Sequence, residues 1–124
     1  MKKLGTDEDT ILVGHSSRAV ASMKFAEKNK ILGSVLVGVY ADDLGDENEK
    51  KSGYFDTNWD WQAIKSNQKW IAVFASTDDP YIPIEQPTKI KDELRAEYYE
   101  FSDRGHFGQK EFSEIVDLIV RKIS

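Results

Sequence analysis

The chain has 124 residues, 40% of them hydrophobic and 31% charged, with no cysteine and a formal net charge of −5. That composition is globular rather than disordered, and the length fits one small α/β domain over residues 1–124. The absence of cysteine excludes disulfides, thiolate-bound zinc and a thiol nucleophile, while the acidic balance argues against a nucleic-acid partner.

Met1-Lys2-Lys3 is followed by polar Gly5-Thr6-Asp7-Glu8-Asp9, which does not read as a secretory leader. No apolar run approaches a bilayer-spanning length, so no membrane association is expected. A cytoplasmic location is the default expectation, with the nucleus also open.

The first apolar run, Thr10–Val13, reads as a strand and leads into Gly14-His15-Ser16-Ser17. A helical pattern over Ser17–Glu27 places Val20, Met23 and Phe25 among alanines. The second strand is Ser34–Val39. A long excursion from Tyr40 to Lys69 follows, acidic first and then aromatic, with Tyr54, Phe55, Trp59 and Trp61. Within it, WDWQAIKSN predicts a short helix capped by Asn58, with Asp60 near its positive end. Those aromatics could line an acyl or aromatic pocket, although packing of the excursion onto the sheet accounts for most of them.

Trp70–Ala75 predicts the third strand, and Pro87–Arg95 a helix with proline in its first turn. Glu97–Phe101 predicts the fourth strand. Gln109–Ile123 has the clearest helical stripe: Phe112, Ile115, Val116, Ile119 and Ile123. The first three strands are continuously apolar, as expected where both faces of a parallel sheet are covered. Alternating strands and helices predict a three-layer αβα fold with a mostly parallel sheet of about four strands.

Parallel strands present functional groups in the loops beyond their carboxyl ends. Ser16 follows the first strand, Ser76-Thr77-Asp78-Asp79-Pro80 the third, and Ser102-Asp103-Arg104-Gly105-His106 the fourth. The chain order serine, acid, histidine is that of α/β-hydrolases. A serine hydroxyl needs a neutral imidazole to take its proton as it attacks a carbonyl, and an acid to orient that imidazole. His106 is the better base of the two histidines, because His15 lies within the turn and its side chain should point away from Ser16. Spacing leaves Asp78 and Asp79 as alternatives. Each feature has a plainer reading: a helix cap for the serine, turn chemistry for Asp-Asp-Pro, a surface histidine in the last loop.

The segments GHSSxAxAxMxxAE, YxxDLGDENExxSGYF, WxWxxIKxN, xSTDDPxxP and FxDxGHF together resemble the retinoblastoma-binding protein nine family of small serine hydrolases. The resemblance runs from about Leu4 to the C-terminus. It implies a truncated α/β-hydrolase-like fold, Ser16 as nucleophile, Asp79 as the acid and His106 as the base. The Ser17 N–H, next after the nucleophile, would be one oxyanion donor. Cleavage of a small ester, thioester or amide is implied, with a small acyl compound as substrate and no cofactor.

Three departures from the family pattern matter. Arg18 replaces the glycine that closes the G-x-S-x-G turn, so its side chain must swing outward, tilt the helix or lean over Ser16. Relative to the family the chain lacks an N-terminal portion with the second oxyanion donor, which predicts an uncovered edge on the first strand. A second copy or a partner chain would cover that edge, and a non-catalytic interaction module is the competing reading. The family's L-x-C-x-E motif corresponds to Leu4-Gly5-Thr6-Asp7-Glu8, and with Thr6 at the cysteine position no binding to a retinoblastoma-type pocket protein is expected. Asp42, Asp43, Asp46, Glu47 and Glu49 lack calcium-loop spacing, so no metal is expected. No P-loop or G-x-G-x-x-G supports a nucleotide cofactor.

Overall fold

A computed structural model describes residues 10–42, 59–106 and 113–123. Its four strands are β1 (Ile11–His15), β2 (Gly33–Val37), β3 (Trp70–Ser76) and β4 (Glu97–Phe101). They form one parallel sheet in the order β1-β2-β3-β4. The helices are α1 (Ser17–Lys28), α2 (Trp61–Ser66), α3 (Glu85–Leu94) and α4 (Ser113–Ile123). Each strand thus neighbours the next in sequence, and all four carboxyl ends lie at one rim of the sheet. This is the expected α/β class with a parallel sheet.

Both sheet faces carry a core. On one, Leu12, Leu36, Ile71 and Val73 pack against Ala19, Met23 and Ala26 of α1, Ile64 of α2 and Ile90 and Leu94 of α3. On the other, Val35, Val37, Ala72 and Phe74 pack beneath Leu118 of α4, flanked by Ile115 and Ile119. Full burial of one such side chain contributes about 1.5–3 kcal/mol. Phe74 also stacks against Tyr99 and Phe101, with centroids 4.9 and 6.1 Å away, which seats β4 against the centre of the sheet.

β2 and β3 are covered on both faces, as their continuous apolar runs predict. β1 corrects the expectation of cover on both faces, while among the described residues it is an edge strand, as expected for the first strand. Its burial alternates, with Leu12 8% and Val13 50% exposed. Val13 shares a face with Val35, its register partner, but the α4 cover extends over β2, β3 and β4 and leaves Val13 open. The predicted stripe of α4 also needs correction. Leu118 is its deepest side chain, and Val116 is exposed. The helix is turned so that Ile115, Leu118 and Ile119 meet the sheet.

The cap of α2 is Asp60, whose Oδ1 accepts the Ala63 N–H at 3.1 Å. Asn67 ends that helix and donates its Nδ2–H to the Ala26 carbonyl, which ties α2 to α1. Helix α3 begins at Glu85, so Pro87 still falls in the first turn, where its missing N–H has no intrahelical partner to lose. Trp59 and Trp61 take the packing role. Trp59 lies against the cluster of Val20, Tyr40 and Ile82, and its indole N–H donates to the Ala41 carbonyl. Leu4 to Glu8, Asp43 to Glu49, Tyr54, Phe55, Asn58 and Phe112 lie outside the described residues.

Candidate active site

The turn after β1 departs from ordinary backbone geometry. Ser16 has φ 61° and ψ −119°. A non-glycine residue held in so sparsely populated a region costs about 1–3 kcal/mol and persists only where its surroundings over-determine it. Here they do. The Ser16 N–H donates to the Val37 carbonyl at 2.8 Å, and the Ser16 carbonyl accepts from Ala19 N and Val20 N at 3.0 and 3.3 Å. Gly14 makes the turn possible: a β-carbon there would lie 2.5 Å from the Arg18 carbonyl oxygen. The start of α1 crosses directly over that glycine, and no side chain fits between.

Ser16 occupies the N-cap position of α1, yet its side chain makes no capping bond. Its Oγ lies 3.0 Å from Nε2 of His106 instead. Nδ1 of that imidazole is 2.8 Å from Oδ2 of Asp79. A carboxylate accepts, so Nδ1 carries the hydrogen; in the neutral ring Nε2 then has a free lone pair and accepts from the Ser16 hydroxyl. The Asp79 side chain is 3% exposed. Its other oxygen, Oδ1, accepts from Tyr81 N at 2.8 Å and Ile82 N at 3.0 Å. The carboxylate is therefore pinned at both ends. The plain reading of Ser16 as a helix cap fails, because its hydroxyl is aimed at a histidine 90 residues away.

Asp78 holds main chain rather than a ring. Its Oδ1 accepts from the Ser76 hydroxyl at 2.5 Å and from Gly105 N at 2.9 Å, while Ser76 Oγ accepts from Arg104 N at 3.2 Å. The Ser76 hydroxyl, and after it the Gly105 N–H, hold the Asp78 carboxyl below the usual carboxylate range. The two amides preceding His106 are thereby fastened to the end of β3. Arg104 carries the anchorage on to α4: its guanidinium bonds Glu114 at 2.5 Å and lies over the Phe101 ring at 4.2 Å.

Gly38 was not distinguished by sequence reasoning. It has φ +62°, and a β-carbon there would sit 3.3 Å from Cε1 of His106. The glycine that follows β2 lets the imidazole pack close against the main chain. Its sequence signal was a glycine inside a valine-rich run, where a strand leaves the sheet. Tyr81 meets the His106 ring edge-on at 5.2 Å and is largely exposed. His15, expected to point away from Ser16, leans on the base loop: its Nε2 is 2.6 Å from the His106 carbonyl oxygen. Arg18 takes the outward alternative. It lines a groove of about 360 Å³ with Leu12, Val13, Ala21, Ser22 and Phe25, along the free side of β1 and α1.

Among the described residues no group of three or more His, Asp or Glu could hold a metal ion. Asp42, the described member of the acidic run, accepts a hydrogen bond from Gln86 Nε2. No helix among the described residues is long and apolar enough to cross a membrane.

Comparisons with known proteins speak to family and fold. A family model described as serine hydrolase matches residues 2–116. The chain is 46% identical over 117 residues to the serine hydrolase RBBP9 of Rattus norvegicus, covering 94% of this chain and 63% of that protein. The chain thus spans somewhat less than two thirds of that relative's length. Among solved structures, the ydeN gene product of B. subtilis superimposes with a TM-score of 0.84 at 26% identity, over 95% of this chain and 67% of that one. The esterase domain of a Rhodothermus marinus protein superimposes with a TM-score of 0.63 at 16% identity, over 89% and 57% of the two chains, and speaks to fold alone.

Proposed function

Because the chain belongs to the serine hydrolase family, we propose that Ser16, His106 and Asp79 form a catalytic triad that cleaves a small ester, thioester or amide through an acyl-enzyme. The observation that carries this reading is the continuous relay from the Ser16 hydroxyl through both nitrogens of His106 to the Asp79 carboxylate. Ser16 Oγ attacks the substrate carbonyl while Nε2 takes its proton, and Asp79 stabilises the imidazolium that forms. The imidazolium then protonates the leaving group. In the second half-reaction the imidazole takes a proton from water as it attacks the acyl carbon, then returns that proton to Ser16 Oγ as the bond to the acyl group breaks and the acid leaves. The Ser17 N–H opens α1, where first-turn amides have no intrahelical acceptor, and it is the donor assigned to the oxyanion.

A fluorophosphonate tests the reading directly. Intact mass is expected to show one adduct per chain, and peptide mapping to place it on Ser16. A folded, homogeneous sample that takes no adduct rejects the catalytic assignment.

A second reading, an interaction module with a second copy of this chain as partner, draws on the open side of β1. Val13, Val116 and Val120 are exposed apolar residues, Val13 on the sheet face that α4 packs. An edge strand pairs readily with its own copy across a twofold axis. Light scattering on a size-exclusion column is expected to give twice the 14.2 kDa chain mass. A compact monomer across the working concentration range removes this reading and leaves the hydrolase proposal intact.

A further inference from the structure

We infer that His15 is a positioning residue for His106, acting chiefly while the acyl group is on Ser16; the inference rests on the triad reading above. His15 is the last residue of β1, next to the nucleophile. Its Nε2 faces the His106 carbonyl oxygen at 2.6 Å, and the two rings lie 4.8 Å apart. A carbonyl oxygen only accepts, so Nε2 of His15 carries the hydrogen and donates it.

The main chain around His106 is otherwise fastened to the β3 end, through Asp78 and Ser76 on Gly105 N and Arg104 N, and its ring through Asp79. None of those bonds reaches the loop that bears Ser16. Among the described residues two hydrogen bonds do: the Ser16 hydroxyl on the ring, and His15 on the carbonyl.

The two contacts differ in lifetime across the reaction. In the free enzyme the Ser16 hydroxyl donates to Nε2 and helps set the distance between nucleophile and base. Once Ser16 is acylated, its oxygen has no hydrogen to give, and Nε2 turns to the incoming water. His15 then carries the remaining hydrogen bond between the turn and the His106 loop among the described residues. It keeps the imidazole within reach of a water that must attack the acyl carbon on Ser16. A misplacement of about 1 Å in such a step costs about 10²-fold. The bond spans 91 residues of sequence, so local spacing gives no sign of it.

The test separates the two half-reactions. His15→Leu removes the donor, and His15→Gln restores an N–H the same number of bonds from the β-carbon. His15 is exposed, so neither change disturbs the core. With the full chain, the rate of fluorophosphonate labelling reads attack by Ser16, and hydrolysis of p-nitrophenyl acetate after its initial burst reads release of the acyl group. His15→Leu is expected to slow the post-burst phase about 10–100-fold, to leave labelling within about threefold, and to be rescued by His15→Gln. Equal losses in both readouts, no loss in either, or a glutamine variant as slow as leucine would each overturn the inference. A wild-type chain that takes no label fails the triad reading itself, which keeps the two failures distinct.

Discussion

Ser16→Ala is expected to abolish fluorophosphonate incorporation and to lower ester hydrolysis about 10⁶-fold, the scale seen when a serine hydrolase loses its nucleophile. The fold should survive, because the bonds that shape the turn are main-chain bonds. Ser16 N still donates to Val37, and its carbonyl still accepts from Ala19 and Val20. Alanine keeps a β-carbon in the strained region at φ 61°, so its thermal stability should match that of the wild type. Ser16→Gly should be equally inactive but more stable, by about 1 kcal/mol, since glycine takes up positive φ without the steric cost. Activity by p-nitrophenyl acetate turnover and stability by thermal melting read these separately. An active alanine variant would place the nucleophile elsewhere. A glycine variant no more stable than alanine would mean that the turn is not strained.

Much of the fold was legible because local composition and tertiary cover agree over most of the chain. β2 and β3 are apolar throughout and buried throughout. β1 has the same composition and a different fate, since cover on a strand depends on which neighbours reach it. Ile11, Leu12 and Val13 do not encode that α4 leaves Val13 open. The stripe on α4 was misread for a related reason. Ile115, Val116 and Ile119 fit a helical period as well as Ile115, Leu118 and Ile119 do. What selects the second set is the surface made by Phe74, Tyr99 and Phe101, which no pattern within the helix reveals.

The site divides the same way. The chain order of Ser16, the acidic pair and His106 follows from strand ends, which a parallel sheet gathers at one rim. Gly38 and His15 were not legible as contacts of His106, because both lie far from it in sequence, His15 by 91 positions. The acidic pair lies between these cases. Spacing could not separate Asp78 from Asp79, and only family resemblance favoured the second. The structure divides them physically: Asp79 reaches the ring of His106, and Asp78 the amide of the residue before it.

That division makes the paired amide substitutions informative. Asp79→Asn is expected to lower kcat/KM about 10⁴-fold, through the tautomer of His106 rather than through lost charge alone. Oδ1 of Asp79 already accepts from the Tyr81 and Ile82 amides. In asparagine the carbonyl oxygen must keep that place, so the NH₂ group turns toward His106. An NH₂ group donates, which forces Nδ1 to accept and moves the ring hydrogen to Nε2. The ring then presents N–H to the Ser16 hydroxyl and has no lone pair with which to take its proton. Asp78→Asn differs, because both of its bonds converge on one oxygen as acceptor. An amide oxygen can replace it, so the expected loss is below about tenfold, as for a neutral hydrogen bond substituting for a charge-assisted one. Imidazole ¹⁵N shifts should place the His106 hydrogen on Nε2 in Asp79→Asn and on Nδ1 in Asp78→Asn. Equal losses in the two variants would mean that the acid acts through the loop, and that its contact with the ring is incidental.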